Sequence, residues 1–235
     1  MTRSKPIIPT PPLPPFAARA ARLSIASGVL FALLLGGLHL VEPEFDPTWR
    51  FISEYALGDY GWMMSLAFAT LALSLAGTGA AIFTQVRSVL GYIGLFVLGV
   101  GTIGILIAAI FETDPVTATA AGATTSGKMH VLGASLDYTP VAALLLSFSL
   151  VRHATWRRVR AALFITAAIT VLATVAFLAA LPSDFVFGPG VYTGLVGRFL
   201  VLSYLGWILT VGLHTLRLSR EQASISESAR VAQPG

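Results

Sequence analysis

Apolar residues fall in six long runs separated by short polar stretches, roughly Leu23–Val41, Gly61–Phe83, Leu90–Phe111, Met129–Val151, Arg160–Leu181 and Phe199–Leu218. A helix of about 20 residues, rising about 1.5 Å per residue, crosses a hydrocarbon core of about 30 Å. The pattern therefore predicts an all-α fold: an integral membrane bundle of six transmembrane helices. The first run is too long for a signal peptide and ends in Leu38-His39-Leu40-Val41-Glu42, with no small-x-small cleavage site. It is expected to be a retained anchor.

The polar stretches set the domain boundaries. Residues 1–22 form a proline-rich basic tail carrying Arg3, Lys5, Arg19 and Arg22. Proline fixes φ and lacks an amide donor, so this tail is expected to be extended or disordered. Residues 23–218 form the membrane domain, and 219–235 a disordered tail. The first loop carries a further element. Asp46-Pro47 suits a helix cap and first position, and Gly58 suits a stop. Trp49, Ile52 and Ala56 share one face of Pro47–Leu57, and Arg50, Ser53 and Glu54 the other. This is the pattern of a short amphipathic helix in the outer interface.

Charge changes the picture by fixing an orientation. With the N-terminus inside, 12 of the 15 basic residues lie on the cytoplasmic side, and only Arg50, Lys128 and Arg198 lie outside. Such a bias orients multi-pass proteins. Both termini are thus expected in the cytoplasm, across a bacterial-type plasma membrane. Eight acids collect on the opposite face: Glu42, Glu44, Asp46, Glu54, Asp59, Glu112, Asp114 and Asp184. Topology accounts for the basic residues, so the formal charge of +4 calls for no nucleic-acid partner. Membrane lipids, and other membrane proteins, are the expected partners.

Composition agrees with the run lengths. Only 11% of residues are charged, against about a quarter in soluble domains, so the apolar surplus must face lipid. No cysteine is present, which removes disulfides, thiolate metal sites and cysteine nucleophiles. Glycines and alanines crowd the second and third runs, where they let helix backbones approach closely.

Phe51-Ile52-Ser53-Glu54-Tyr55-Ala56-Leu57-Gly58, followed by Tyr60-Gly61-Trp62, resembles the signature of a multi-pass membrane family called domain of unknown function 998. The acidic, proline-containing end of the third run, Phe111-Glu112-Thr113-Asp114-Pro115, and His130 at the opening of the fourth are similar to that family in the same order. The resemblance covers roughly residues 24–215. It implies fold and topology; the family name itself concedes that activity is unknown.

Candidate chemistry is confined to a few polar residues. Asp137 lies within the fourth run, seven residues after His130 and on the same helical face. An acid inside a span costs several kcal/mol unless it faces protein or water, so a site function is the default, with helix-to-helix hydrogen bonding as the alternative. Pro140 is expected to disturb the backbone beside it. His39, Glu54, Asp114 and His130 fall at similar depth near the outer boundary. Imidazole with carboxylate suits zinc or another divalent metal, although no His-Glu-x-x-His spacing occurs. Ser53 is a nucleophile only if His39 or His130 reaches it. Arg198, at the start of the sixth run, is either a structural counter-ion or a lipid-phosphate ligand. Haem is not expected, because His130 and His153 sit at opposite ends of one span, and nothing calls for a nucleotide.

The residues thus point to a multi-pass membrane protein that binds a lipid headgroup, a small ligand or a membrane partner in an outer polar pocket. Ser53, Glu54, Asp114, His130, Asp137 and Arg198 are its candidate lining. Two alternatives remain open: a metal-dependent membrane hydrolase of lipid-like substrates using His39, Glu54, Asp114 and His130, and a small proton- or cation-coupled transporter using Asp137.

Overall fold

The computed structural model describes residues 11–231. The first ten residues of the basic tail and the last four of the C-terminal tail lie outside the described residues. Seven α-helices follow in order: α1 (Ala17–Val41), α2 (Gly61–Ile82), α3 (Val89–Ile110), α4 (Thr125–Ser135), α5 (Thr139–Leu150), α6 (Arg160–Ala179) and α7 (Thr193–Val231). Taking α4 and α5 as the two halves of one span, six helical segments are long and apolar enough to cross a membrane. The protein is an all-helical, integral membrane bundle.

The spans close into a ring. α1 packs on α2 and α7, α2 on α3, α3 on both α4 and α5, α5 on α6, and α6 on α7. Side chains such as Leu33, Phe96, Leu172 and Leu178 project outward and are largely exposed, as a lipid-facing surface requires. Polar hydrogen bonds tie the interior. Ser24 bonds Thr78 at 2.7 Å, and Ser74 donates to the Ser24 carbonyl at 2.8 Å, joining α1 to α2. Trp207 Nε1 donates to Ser147 at 3.1 Å, joining α7 to α5. Each such bond in a membrane bundle contributes on the order of 1 kcal/mol.

One end of the bundle carries the acidic loops and the other carries both termini. At the termini end the proline-rich segment is docked: Gln85 Nε2 donates to the Pro11 carbonyl at 2.9 Å, and Leu13 N–H donates to Gln222 at 3.1 Å. α7 continues to Val231, where the pattern predicts a disordered tail from 219. Arg217 and Arg158 both reach Glu221, at 3.2 and 3.1 Å, and these ion pairs with the Gln222 bond hold the extension.

Two elements differ from expectation in ways that matter for the site. The first-loop helix is shorter, a 3-10 helix over Ile52–Leu57. Asp46 does not open a helix; it bonds Thr48 N–H at 2.9 Å and Thr48 Oγ1 at 2.7 Å in a local turn, and Phe51 remains extended. These two bonds hold the Asp46 carboxyl below its ordinary value. Glu54 of its polar face turns inward, as does the neighbouring Tyr55, each only 1% exposed.

The fourth span is the second difference. A single helix over Met129–Val151 is expected, but the chain breaks at Leu136–Tyr138. Pro140 falls in the first turn of α5. A continuous helix would set its ring against the carbonyl four residues earlier, at Leu136, and leave that carbonyl without a donor. Close packing at Gly133 holds the upper half: a methyl group there would overlap the Gly104 carbonyl and the Ala108 N–H of α3.

Candidate functional site

Asp137 sits in the break between α4 and α5. Its Oδ1 accepts from Thr139 N–H at 3.1 Å, capping α5, and its Oδ2 accepts from the Tyr204 hydroxyl of α7 at 2.9 Å. The carboxylate therefore bridges the broken span to the last helix. It is partly buried, and it opens onto a cavity of about 280 Å³.

The cavity lies between α4 on one side and α6 and α7 on the other. Val131 and Ala134 form the α4 wall, Phe177 comes from α6, and Gly197, Leu200 and Val201 come from α7. Phe68, Leu71 and Ile105 form the back, and Phe51, Ile52 and Ser53 of the first loop lie at the acidic end. α4 packs on α3 and makes no comparable contact with α6 or α7, which leaves the cavity between them. Val131 on its edge is 63% exposed. Polar groups on the lining are few: Ser53, Thr113, His130, Asp137 and Tyr204.

His130 is buried, with its ring edge-on to Phe68. Its Nδ1 donates to the Phe111 carbonyl at 2.8 Å. In the neutral ring that leaves the Nε2 lone pair available. Ser53 hydrogen-bonds to neither His39 nor His130 among the described residues, so the base that a serine nucleophile needs is not supplied there.

The remaining expected site residues are occupied elsewhere. Glu54 Oε1 accepts from Arg50 at 2.7 Å and from Val116 N–H at 3.0 Å, while Oε2 accepts from Phe51 N–H at 3.0 Å. It stitches the first loop to the third. Asp114 accepts from Thr124 N–H at 2.9 Å and from Thr124 Oγ1 at 2.8 Å, closing the loop that precedes α4. It borders a cleft beside the cavity, with Lys128 and Thr113.

Arg198 and His39 form a separate unit between α7 and α1. Arg198 Nε donates to His39 Nε2 at 2.8 Å, and His39 Nδ1 donates to the Leu35 carbonyl at 2.6 Å. Arg198 also donates to the carbonyls of Arg50 and Gly194, at 2.6 and 3.1 Å, and to the Tyr55 hydroxyl at 3.3 Å. A guanidinium that is only 5% exposed is thus satisfied by neutral acceptors. Burial pushes the Tyr55 hydroxyl above its ordinary phenol value, against the pull of that cation. Arg198 lines a groove between α1 and α7, not the Asp137 cavity.

The structure therefore brings Ser53, His130 and Asp137 together on one cavity, sets Asp114 at a neighbouring cleft, and takes Glu54 and Arg198 into the framework. His39, Glu54, Asp114 and His130 do not converge: no group of three or more such side chains placed to hold a metal occurs among the described residues. Both nitrogens of His39 and both oxygens of Glu54 and of Asp114 already have protein partners. Tyr204 is the site residue that sequence reasoning missed. Its signal was a lone tyrosine within an apolar run, whose hydroxyl needs a partner when buried. Glu42 was read only as a loop acid. It is 1% exposed, with Oε1 accepting from Tyr60 N–H at 2.6 Å.

A six-span helical bundle with a cavity at a broken helix is the class of protein that this geometry defines. The chain belongs to the family described as protein of unknown function (DUF998), whose model matches residues 25–214. No curated protein and no solved structure matches it.

Proposed function

We propose that the protein binds an amphiphile of the bilayer in the Asp137 cavity. The observation that carries this reading is one acid, bonded to Tyr204, on a cavity lined mostly by apolar side chains and lying where α4 leaves α6 and α7 unpacked, a gap that gives a lipid chain a way in. Ligand pockets are characteristically apolar with a few placed polar groups. At about 280 Å³ the space suits a head and the first part of a chain, with the remainder lying in lipid. In the bilayer the chain is already out of water, so recognition rests on the head at Asp137 and on packing of the chain against the apolar walls.

The acidic end, in this reading, faces outward and the termini lie in the cytoplasm of a bacterial-type plasma membrane. The loop charge bias, with 12 of 15 basic residues on the cytoplasmic side by the span pattern, supports that orientation. Binding is favoured over carriage because the bundle between Asp137 and the termini end is filled by Ala143, Leu146, Trp207 and Ile208, all fully buried. A metal-dependent hydrolase finds less support, since His39, Glu54 and Asp114, three of the four residues it needs, are committed to protein partners.

The test is equilibrium binding of a fluorescent single-chain amphiphile to the protein in a non-ionic detergent. Ala134→Phe fills the cavity from α4 and should weaken binding by about ten-fold or more, equivalent to roughly 1.4 kcal/mol. Leu172→Phe, on the lipid face of α6, should leave it unchanged. Equal affinity in both variants and the parent would remove the cavity from the account.

A further inference from the structure

We infer that the head recognised in this cavity is a primary ammonium, on a single-chain amphiphile. This rests on the amphiphile reading and names the chemical class of its ligand. Asp137 is the one Asp, Glu, Lys or Arg among the lining residues. Its oxygens accept from Thr139 N–H and the Tyr204 hydroxyl, both neutral donors, and it forms no ion pair among the described residues. A carboxylate has about four lone-pair positions, so these donors do not exhaust it.

Arg198 and Arg50 are already committed, and Lys128 lines the neighbouring cleft, not this cavity. Arg198 is spent on His39, Tyr55 and two backbone carbonyls, and Arg50 on Glu54. Neither lines the cavity. The site therefore offers a carboxyl group, further acceptors at His130 Nε2 and Ser53 Oγ, and no fixed positive charge on its lining. Phe68, Phe177 and Tyr204 add aromatic rings, whose faces attract a cation. An ammonium supplies three donors and the missing charge; its chain takes the apolar walls of Leu200, Val201 and Ile105. A phosphate or carboxylate head would meet Asp137 with like charge and find no arginine to hold it.

The experiment is competition against the fluorescent probe by dodecylamine, dodecanol and dodecyl phosphate, three heads on one chain, near pH 7, where an alkylamine with a pKa of about 10 is cationic. Dodecylamine should displace the probe at a concentration about ten-fold or more below dodecanol, and dodecyl phosphate should be weakest. In Asp137→Asn the amine should lose its advantage over the alcohol. The comparison in the parent protein needs no variant and decides by itself if the Asn protein does not fold. Equal displacement by amine and alcohol, or a preference for phosphate, would overturn the ammonium assignment and leave the amphiphile reading standing. Failure of all three to displace the probe would overturn both.

Discussion

Tyr204 donates its hydroxyl proton to Asp137 at 2.9 Å, across the gap between the last helix and the break in the fourth span. The bond links two residues 67 positions apart and is the polar tie between α7 and the α4–α5 junction on this cavity. Tyr204→Phe should lower stability by about 1–3 kcal/mol, because it leaves a carboxylate oxygen short of a donor. Asp137→Asn should be milder than Asp137→Leu, since the amide retains an acceptor for Thr139 N–H or Tyr204. Thermal unfolding in detergent reads all three. A leucine variant as stable as the parent contradicts the role given to this pair.

Arg198 should tolerate substitution poorly. A lysine has three donors on a point charge and cannot reproduce the planar fork that meets His39, Tyr55 and two carbonyls. Losing two charge-assisted bonds at about 1.5–3 kcal/mol each puts the cost of Arg198→Lys at about 3 kcal/mol or more. His39→Ala should cost less, as it removes one of the four acceptors. Midpoints of thermal unfolding check both; Arg198→Lys at parental stability would remove the framework role.

At Gly133 the cost is steric. Gly133→Val sets a side chain against the Gly104 carbonyl and the Ala108 N–H, backbone atoms that cannot yield by changing rotamer. The loss should be about 1–3 kcal/mol. Gly99, where an added Cβ meets open space, provides the control: Gly99→Ala should be neutral or slightly stabilising by unfolding midpoint.

Orientation is checked by reporter fusions active only in the cytoplasm. Fusions at residues 87 and 155 and at the C-terminus should be active, and those at 46, 120 and 186 silent. Activity at 120 contradicts the inward placement of the basic loops.

The six spans were legible because run length and apolar content are properties of the chain in one dimension. Asp137 stood out for the same reason, as an acid where the run allows none. Its partner was harder to read: nothing near Asp137 in the sequence marks the Tyr204 hydroxyl that meets it. Pairing across the bundle depends on how the ring closes, and nothing local to His39 indicates that Arg198 comes to it over 159 positions. Glu54 and Asp114 show what a one-dimensional pattern leaves out. Carboxylates near imidazoles suit a metal, but a loop must also satisfy its backbone N–H groups, and here Phe51, Val116 and Thr124 take those oxygens first. The break in the fourth span was half visible, in Pro140; its extent depended on Gly133 packing against α3.

The central claim is that an amphiphile's head lies beside Asp137. It is tested most directly by photo-crosslinking with an alkylamine that carries a diazirine near the amine, followed by peptide mapping. The account predicts label on α4 within Val131–Asp137 and on α7 within Leu200–Tyr204, lost when excess dodecylamine is present and reduced in Ala134→Phe. Label confined to the lipid face of α6 around Leu172, or to the α1–α7 groove at Leu35 and Leu202, would contradict it.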